Sequence, residues 1–107
     1  TRSHSDAMYM ANWVKRVESV GNLNYPEAAR RQQLYGSLRL LVAILPDGSI
    51  KEIKILQSSG NKVLDDAAVR IVRLAEPYQQ FPVEMRKNTD ILEIIRTWKF
   101  EKNARVY

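Results

Sequence analysis

Cysteine is missing from this chain altogether, and histidine occurs once, at His4. Without thiols there is neither a disulfide framework nor a thiolate metal site, and cysteine usage says nothing about the redox compartment. No cluster of His or Cys has the spacing of metal ligands. Ser3, His4, Ser5 and Asp6 include the residue types of a hydrolytic triad, but they are adjacent at a chain end, whereas a triad is assembled in space from rigid elements. Glycine is scarce, and no Gly-rich loop precedes a helix to cradle phosphate. No apolar run approaches the roughly 20 residues of a membrane span, and the N-terminus lacks the charged-then-apolar pattern of a signal peptide. Internal repeats and low-complexity tracts are absent. Together these gaps argue against an enzyme and against a bound metal or cofactor, and they favour a soluble domain that works through its surface.

What is present suits one domain. A length of 107 residues with 45% hydrophobic content supports a single modest core. Residues 1–6 lack apolar periodicity and read as a flexible end, leaving 7–107 as the domain. The balance of 17 basic to 12 acidic residues gives a net charge of +5. Much of it falls on Lys15, Arg16, Arg30, Arg31, Arg70, Arg73, Arg86 and Lys87, helix positions where a solvated face would put them. That scatter argues against a nucleic-acid or membrane footprint, while still allowing electrostatic steering toward an acidic protein. An RNA-binding sheet would also expose aromatics on its central strands, and segments 37–45 and 49–57 contain none.

From Ala7 to Val20, Met10, Trp13, Val14, Val17 and Val20 recur at helical spacing, with Gly21 as the stop and Trp13 as a packing anchor. Asn22 to Asn24 reads as an extended connector, because Tyr25 precedes a proline. Pro26 opens a short helix to about Leu34. From Gly36 the period changes to two: Leu38, Leu40, Val42 and Ile44 share a strand face, and Pro46-Asp47-Gly48 supplies a hairpin turn. On the return strand Ile53 and Ile55 are in phase while Ile50 is not, which predicts a bulge near Lys51 or Glu52. Leu41, Leu45 and Leu56 partly cover the other face. Ser58-Ser59-Gly60-Asn61 ends the strand. Leu64, Ala67, Ala68, Ile71 and Ala75 then form a helical stripe, with Asp65 and Asp66 in its first turn and Pro77 as its stop. Residues 77–90 read as a surface loop with Tyr78 and Phe81 tucked down. Asp90 to Phe100 reads as a third strand, with Leu92, Ile94, Trp98 and Phe100 on one face and Ile91, Ile95 and Thr97 on the other. Arg96 interrupts the apolar face, either with its stem buried and head solvated at an edge or stacked on an aromatic.

The order α-α-β-β-α-β predicts an α+β domain: a three-stranded antiparallel sheet with helices packed on one face. A right-handed crossover sets the third strand beside the first and leaves the second and third strands as edges. An edge strand offers a row of backbone donors and acceptors to an extended peptide, or to a second copy of the chain.

The block Asn22-Leu23-Asn24-Tyr25-Pro26-Glu27-Ala28-Ala29-Arg30-Arg31, followed by Gly36, Pro46-Asp47-Gly48, Ser58-Ser59-Gly60 and Leu64-Asp65-Asp66-Ala67-Ala68, resembles the C-terminal domain of the TonB family of periplasmic energy transducers over about residues 22–101. The resemblance implies a non-catalytic domain that couples the proton-motive force of the cytoplasmic membrane to TonB-dependent outer-membrane transporters. It implies an N-terminal membrane helix and a Pro-rich linker ahead of such a domain, anchorage in the inner membrane, and the motor proteins ExbB and ExbD as partners of those other segments. The receptor's TonB box would add as a strand to the third strand, which carried over by position is Asp90, Ile91, Leu92, Glu93, Ile94, Ile95, Arg96, Thr97, Trp98, Lys99 and Phe100. The receptor plug would be met by Asn22, with Leu23, Asn24 and Tyr25 beside it. In the family pattern an aromatic cluster directly follows the second large helix, whereas here that helix runs into Leu74-Ala75-Glu76-Pro77-Tyr78. This departure leaves two clients open, a siderophore-type receptor or other cell-envelope machinery, and a homodimeric interaction module is the further alternative.

Overall fold

The alternating stretch after Gly36 becomes the middle of the sheet. In the computed structural model, which describes residues 4–25, 27–101 and 105–106, the elements are α1 (His4–Leu23), α2 (Glu27–Gln32), β1 (Gly36–Ile44), β2 (Ile50–Gln57), α3 (Lys62–Leu74), α4 (Val83–Arg86), β3 (Leu92–Glu101) and β4 (Arg105–Val106). The sheet order is β2-β1-β3-β4, and every neighbouring pair is antiparallel. Three long strands thus form the predicted sheet, with β3 beside β1, and a two-residue β4 is added to it. Leu38, Leu40, Val42 and Ile44 of β1 and Leu92, Ile94, Trp98 and Phe100 of β3 are buried. The period-two pattern points them to one side of the sheet, and they share one core cluster with Leu64, Ala67, Ala68, Ile71 and Val72 of α3.

The out-of-phase Ile50 has its explanation in the register. Ala43 pairs with Glu52 and Ile44 with Ile50, so Lys51 is the extra residue of a bulge. A second irregularity leaves Leu56 extra between the pairs Leu40–Ile55 and Arg39–Gln57. At the hairpin tip, Asp47 Oδ1 accepts hydrogen bonds from the Ser49 N–H at 2.9 Å and the Ser49 hydroxyl at 2.6 Å. Gly48 has φ 88° and lies against the segment after α3, so a Cβ there would stand 2.1 Å from the Tyr78 carbonyl oxygen. The Tyr78 N–H donates to the Gly48 carbonyl and the Phe81 N–H to the Pro46 carbonyl, both at 2.9 Å.

The Ser-Ser-Gly-Asn break is a built cap. Asn61 Oδ1 accepts from the Val63 N–H at 2.9 Å at the N-terminus of α3. Asp65 does more than complement the helix dipole: its carboxylate accepts from the Ser59 N–H at 3.0 Å, the Ser59 hydroxyl at 2.7 Å and the Ser58 hydroxyl.

The start of the chain departs from the sequence reading. α1 begins at His4, inside the span read as a flexible end, and continues through Gly21 to Leu23. Its buried side chains are Tyr9, Trp13 and Val17, and Gly21 is buried with them. The Tyr9 ring meets Phe81 edge-on at 5.1 Å, and its hydroxyl donates to the Gln79 carbonyl at 2.6 Å. Trp13 lies 5.8 Å from Tyr78, and Arg16 Nε donates to the Ala75 carbonyl at 2.7 Å. Residues 77–90, read as a loop, contain α4, which buries Met85 beneath it. Fully burying one large apolar side chain contributes about 1.5–3 kcal/mol, so the rings of Tyr9 and Trp13, rather than polar contacts, hold α1 in place.

Candidate docking edge

The sheet has two outer edges, and they differ in quality. β2 carries bulges at Lys51 and Leu56, exposed lysines at 51 and 54, and an N-terminal N–H, that of Ile50, already donated to Glu76 Oε2 at 2.9 Å. Bulges and lysines are devices that blunt an edge against further pairing. β3 has no bulge, and its one lysine, the exposed Lys99, stands at the end of the strand next to the residues that β4 pairs with. Its register with β1 runs without a shift from Gly36–Phe100 to Ile44–Leu92, so the strand is regular along nine consecutive pairs. Among the described residues, only Phe100 and Glu101 of β3 have an outer strand partner, the short β4.

Two sequence expectations are corrected here. Asp90 and Ile91 precede the strand, which begins at Leu92. β3 is also not an edge along its whole length, because β4 covers its end, including Phe100. Over Leu92–Lys99 the side chains alternate: Leu92, Ile94 and Trp98 are buried, while Glu93, Ile95, Thr97 and Lys99 are exposed. Arg96 keeps its head partly solvated, and its guanidinium donates to Glu18 of α1 at 2.9 Å in an ion pair about a third exposed.

The segment read as an extended connector is also corrected. Asn22 and Leu23 form the last turn of α1, and Asn24 caps it, with both its backbone N–H and its side-chain Nδ2 donating to the Val20 carbonyl at 3.0 and 2.8 Å. Such local side-chain bonding is what asparagine does well at helix ends. The chain then drops Tyr25 into the core, where its ring meets Phe100 edge-on at 5.8 Å. Burial pushes the Tyr25 hydroxyl pKa up, with Tyr35 adding to the effect and Arg30 opposing it. Pro26 lies outside the described residues. Tyr25 thereby sets the Asn22–Tyr25 hook against the C-terminal end of β3. At the same end a shallow hollow of about 250 Å³ opens between Gly36 and Ser37 of β1 and Lys99 and Phe100 of β3. Leu23, at 86% exposure, is the most exposed large apolar side chain of the described residues.

The sequence reading missed Glu18 and β4. Glu18 sits on a helix whose docking was not legible, 78 positions from its partner, and β4 is two residues long, too short for any periodicity. Among the described residues no group of His, Cys, Asp and Glu gathers that would hold a metal ion, and no helix is long and apolar enough to cross a membrane.

Residues 21–102 match the model of a family described as Gram-negative bacterial TonB protein C-terminal. Protein tonB2 of Pseudomonas aeruginosa is 43% identical over 49 residues, which are 46% of this chain and 18% of that protein, so the similarity spans less than a fifth of that relative. Two NMR solution structures of the Helicobacter pylori TonB-CTD, of different length, share the fold. One superposes with a TM-score of 0.69 at 18% identity, covering 88% of this chain and 80% of that one. The other gives 0.63 at 17% identity, covering 84% and 94%.

Proposed function

The chain belongs to the Gram-negative bacterial TonB protein C-terminal family, whose members are periplasmic, non-enzymatic protein-interaction domains, and from that premise we propose that it is the receptor-engaging end of a TonB-like energy transducer. Its outer-membrane client docks a TonB box as an added strand along β3, and Asn22, Leu23 and Asn24 meet the client's plug. The observation that carries this reading is the contrast between the two edges: β3 offers a regular, unbulged rail over Leu92–Lys99, whereas β2 is blunted. Main-chain pairing supplies affinity with little demand on side chains. Tyr25 against Phe100 couples the hook to the end of the rail, so load on α1 reaches the docked strand through the same core. Energy enters from ExbB and ExbD through other parts of an inner-membrane-anchored transducer, and the process served is siderophore-type uptake or the work of other cell-envelope machinery.

Site-directed crosslinking tests the reading, since the chain has no cysteine of its own. Thr97→Cys on the open edge is expected to form a disulfide with a cysteine-bearing TonB-box peptide, and Lys54→Cys on β2 is not. Equal trapping at both positions, or a product in which Thr97→Cys joins only to another copy of the chain, contradicts it.

A further inference from the structure

Resting on the reading that β3 receives a strand, we infer which strand it selects: a segment of at most eight residues with an apolar centre, a cation at the end facing Glu93 and an anion at the end facing Lys99. The length follows from β4, which pairs with Phe100 and Glu101 and so closes the rail at Lys99, leaving the positions from Leu92 to Lys99. At roughly 3.3 Å per residue that is a rail of about 25 Å.

The charge rule follows from the register. Glu93 pairs with Ala43, which pairs in turn with Glu52 on β2, and the exposed Asp90 lies just before this end of the strand. At the other end Thr97 pairs with Arg39 and Lys99 with Ser37. Between them Ile95 pairs with Leu41, and Leu41 with Lys54. The open face of the sheet is therefore acidic at the Glu93 end, basic at the Lys99 end, and apolar at Ile95 in the middle. The helix-side face offers no competing charge, because Arg96 is neutralised by Glu18 and its neighbours Leu92, Ile94 and Trp98 are apolar. Selection by charge thus falls on the outward positions. Cross-strand charge pairs are individually modest, but matched and reversed peptides differ at two sites. The two then differ roughly 3- to 30-fold in Kd at low ionic strength, and salt shrinks the gap.

The test uses two synthetic eight-residue peptides with the same Val/Thr centre and a Lys and a Glu six positions apart, in either order, alongside a TonB-box peptide as reference. NMR titrations are run on the wild-type domain and on the double variant Glu93→Lys, Lys99→Glu, whose changes are on exposed side chains. The expected result is a preference of the wild type for one order and inversion of that preference in the double variant. Equal affinity for both orders, or a preference the double variant leaves unchanged, overturns this inference while the docking reading stands. Failure of all three peptides to perturb β3 overturns the docking reading and the inference with it.

Discussion

The Arg96 guanidinium meets the Glu18 carboxylate at 2.9 Å and so ties α1 to β3, the strand proposed to receive the partner. Both side chains remain about a third exposed, at 31% and 37%. Such a pair contributes no more than about 1 kcal/mol. A double-mutant cycle over Arg96→Ala and Glu18→Ala, read by urea unfolding, is expected to give a coupling within that bound. A coupling above about 2 kcal/mol contradicts the partly solvated geometry.

The aromatic anchors of α1 carry far more. Trp13→Ala removes a buried ring packed on Tyr78 and is expected to cost about 3–5 kcal/mol, whereas Met8→Ala, at a 54% exposed position on the same helix, stays within about 0.5 kcal/mol. Chemical denaturation of the two variants checks the ratio.

Two glycines with nearly equal φ should respond differently. Gly48 (φ 88°) and Gly60 (φ 86°) both lie in the left-handed region, but a Cβ at Gly48 would meet the Tyr78 carbonyl while a Cβ at Gly60 would point into open space. Gly60→Ala is expected to cost about 1 kcal/mol from conformation alone. Gly48→Ala must also break the hairpin tip away from residues 78–81, and a melting temperature no lower than that of Gly60→Ala would contradict the packing.

Stability should bend at both ends of the pH scale. At Asp65 burial opposes ionisation, but the hydrogen bonds from Ser58 and Ser59 outweigh it and hold the carboxyl below the ordinary range. Its contribution is complete above the unfolded value of about 3.9 and is lost as pH falls through the lower folded value. Asp65→Asn is expected to flatten that acid limb. Burial pushes the Tyr9 hydroxyl up to about 12, and that of Tyr78 higher still. Their share of stability is full below pH of about 10 and declines as pH rises through the folded values. Phenolate absorbance during alkaline titration, with Tyr9→Phe for comparison, reads the onset directly.

The strands were the most legible part of the sequence because their signals are local. The parity of Ile50 alone placed a bulge near Lys51 or Glu52, which the register assigns to Lys51, and the alternation from Leu38 to Ile44 gave the buried face. α1 was misjudged at its end because glycine usually stops a helix, yet Gly21 is buried inside it and Asn24 supplies the cap three residues later. Tyr9 stood outside the apolar stripe read from Met10, Trp13, Val14, Val17 and Val20, and only the fold brings Gln79 to its hydroxyl. α4 was hidden because it is only four residues long and follows Pro77 and Pro82, whose local signal is for a loop. Arg96 stood out in the sequence as a charge on an apolar face, but its partner Glu18 lies on α1, far away in the chain, and no local pattern names it.

Proline scanning separates the inner edge of β3 from the outer. Neighbouring strand residues direct their N–H groups to opposite sides, so of Ile94→Pro and Ile95→Pro one breaks the pairing with β1 and the other removes a donor from the open edge. The expected outcome is one variant that unfolds and one that stays folded but no longer docks peptide, as judged by circular dichroism and titration. Unaltered docking by the folded variant contradicts the assignment of the edge.

The measurement that bears most directly on the central claim is an NMR titration of the isotopically labelled domain with TonB-box peptides from outer-membrane receptors of the same organism. The expected shifts concentrate on the β3 positions from Leu92 to Lys99 and on the hook around Asn22, leaving the β2 edge unperturbed. Shifts confined to β2, or none at millimolar peptide, would contradict docking by strand addition to β3.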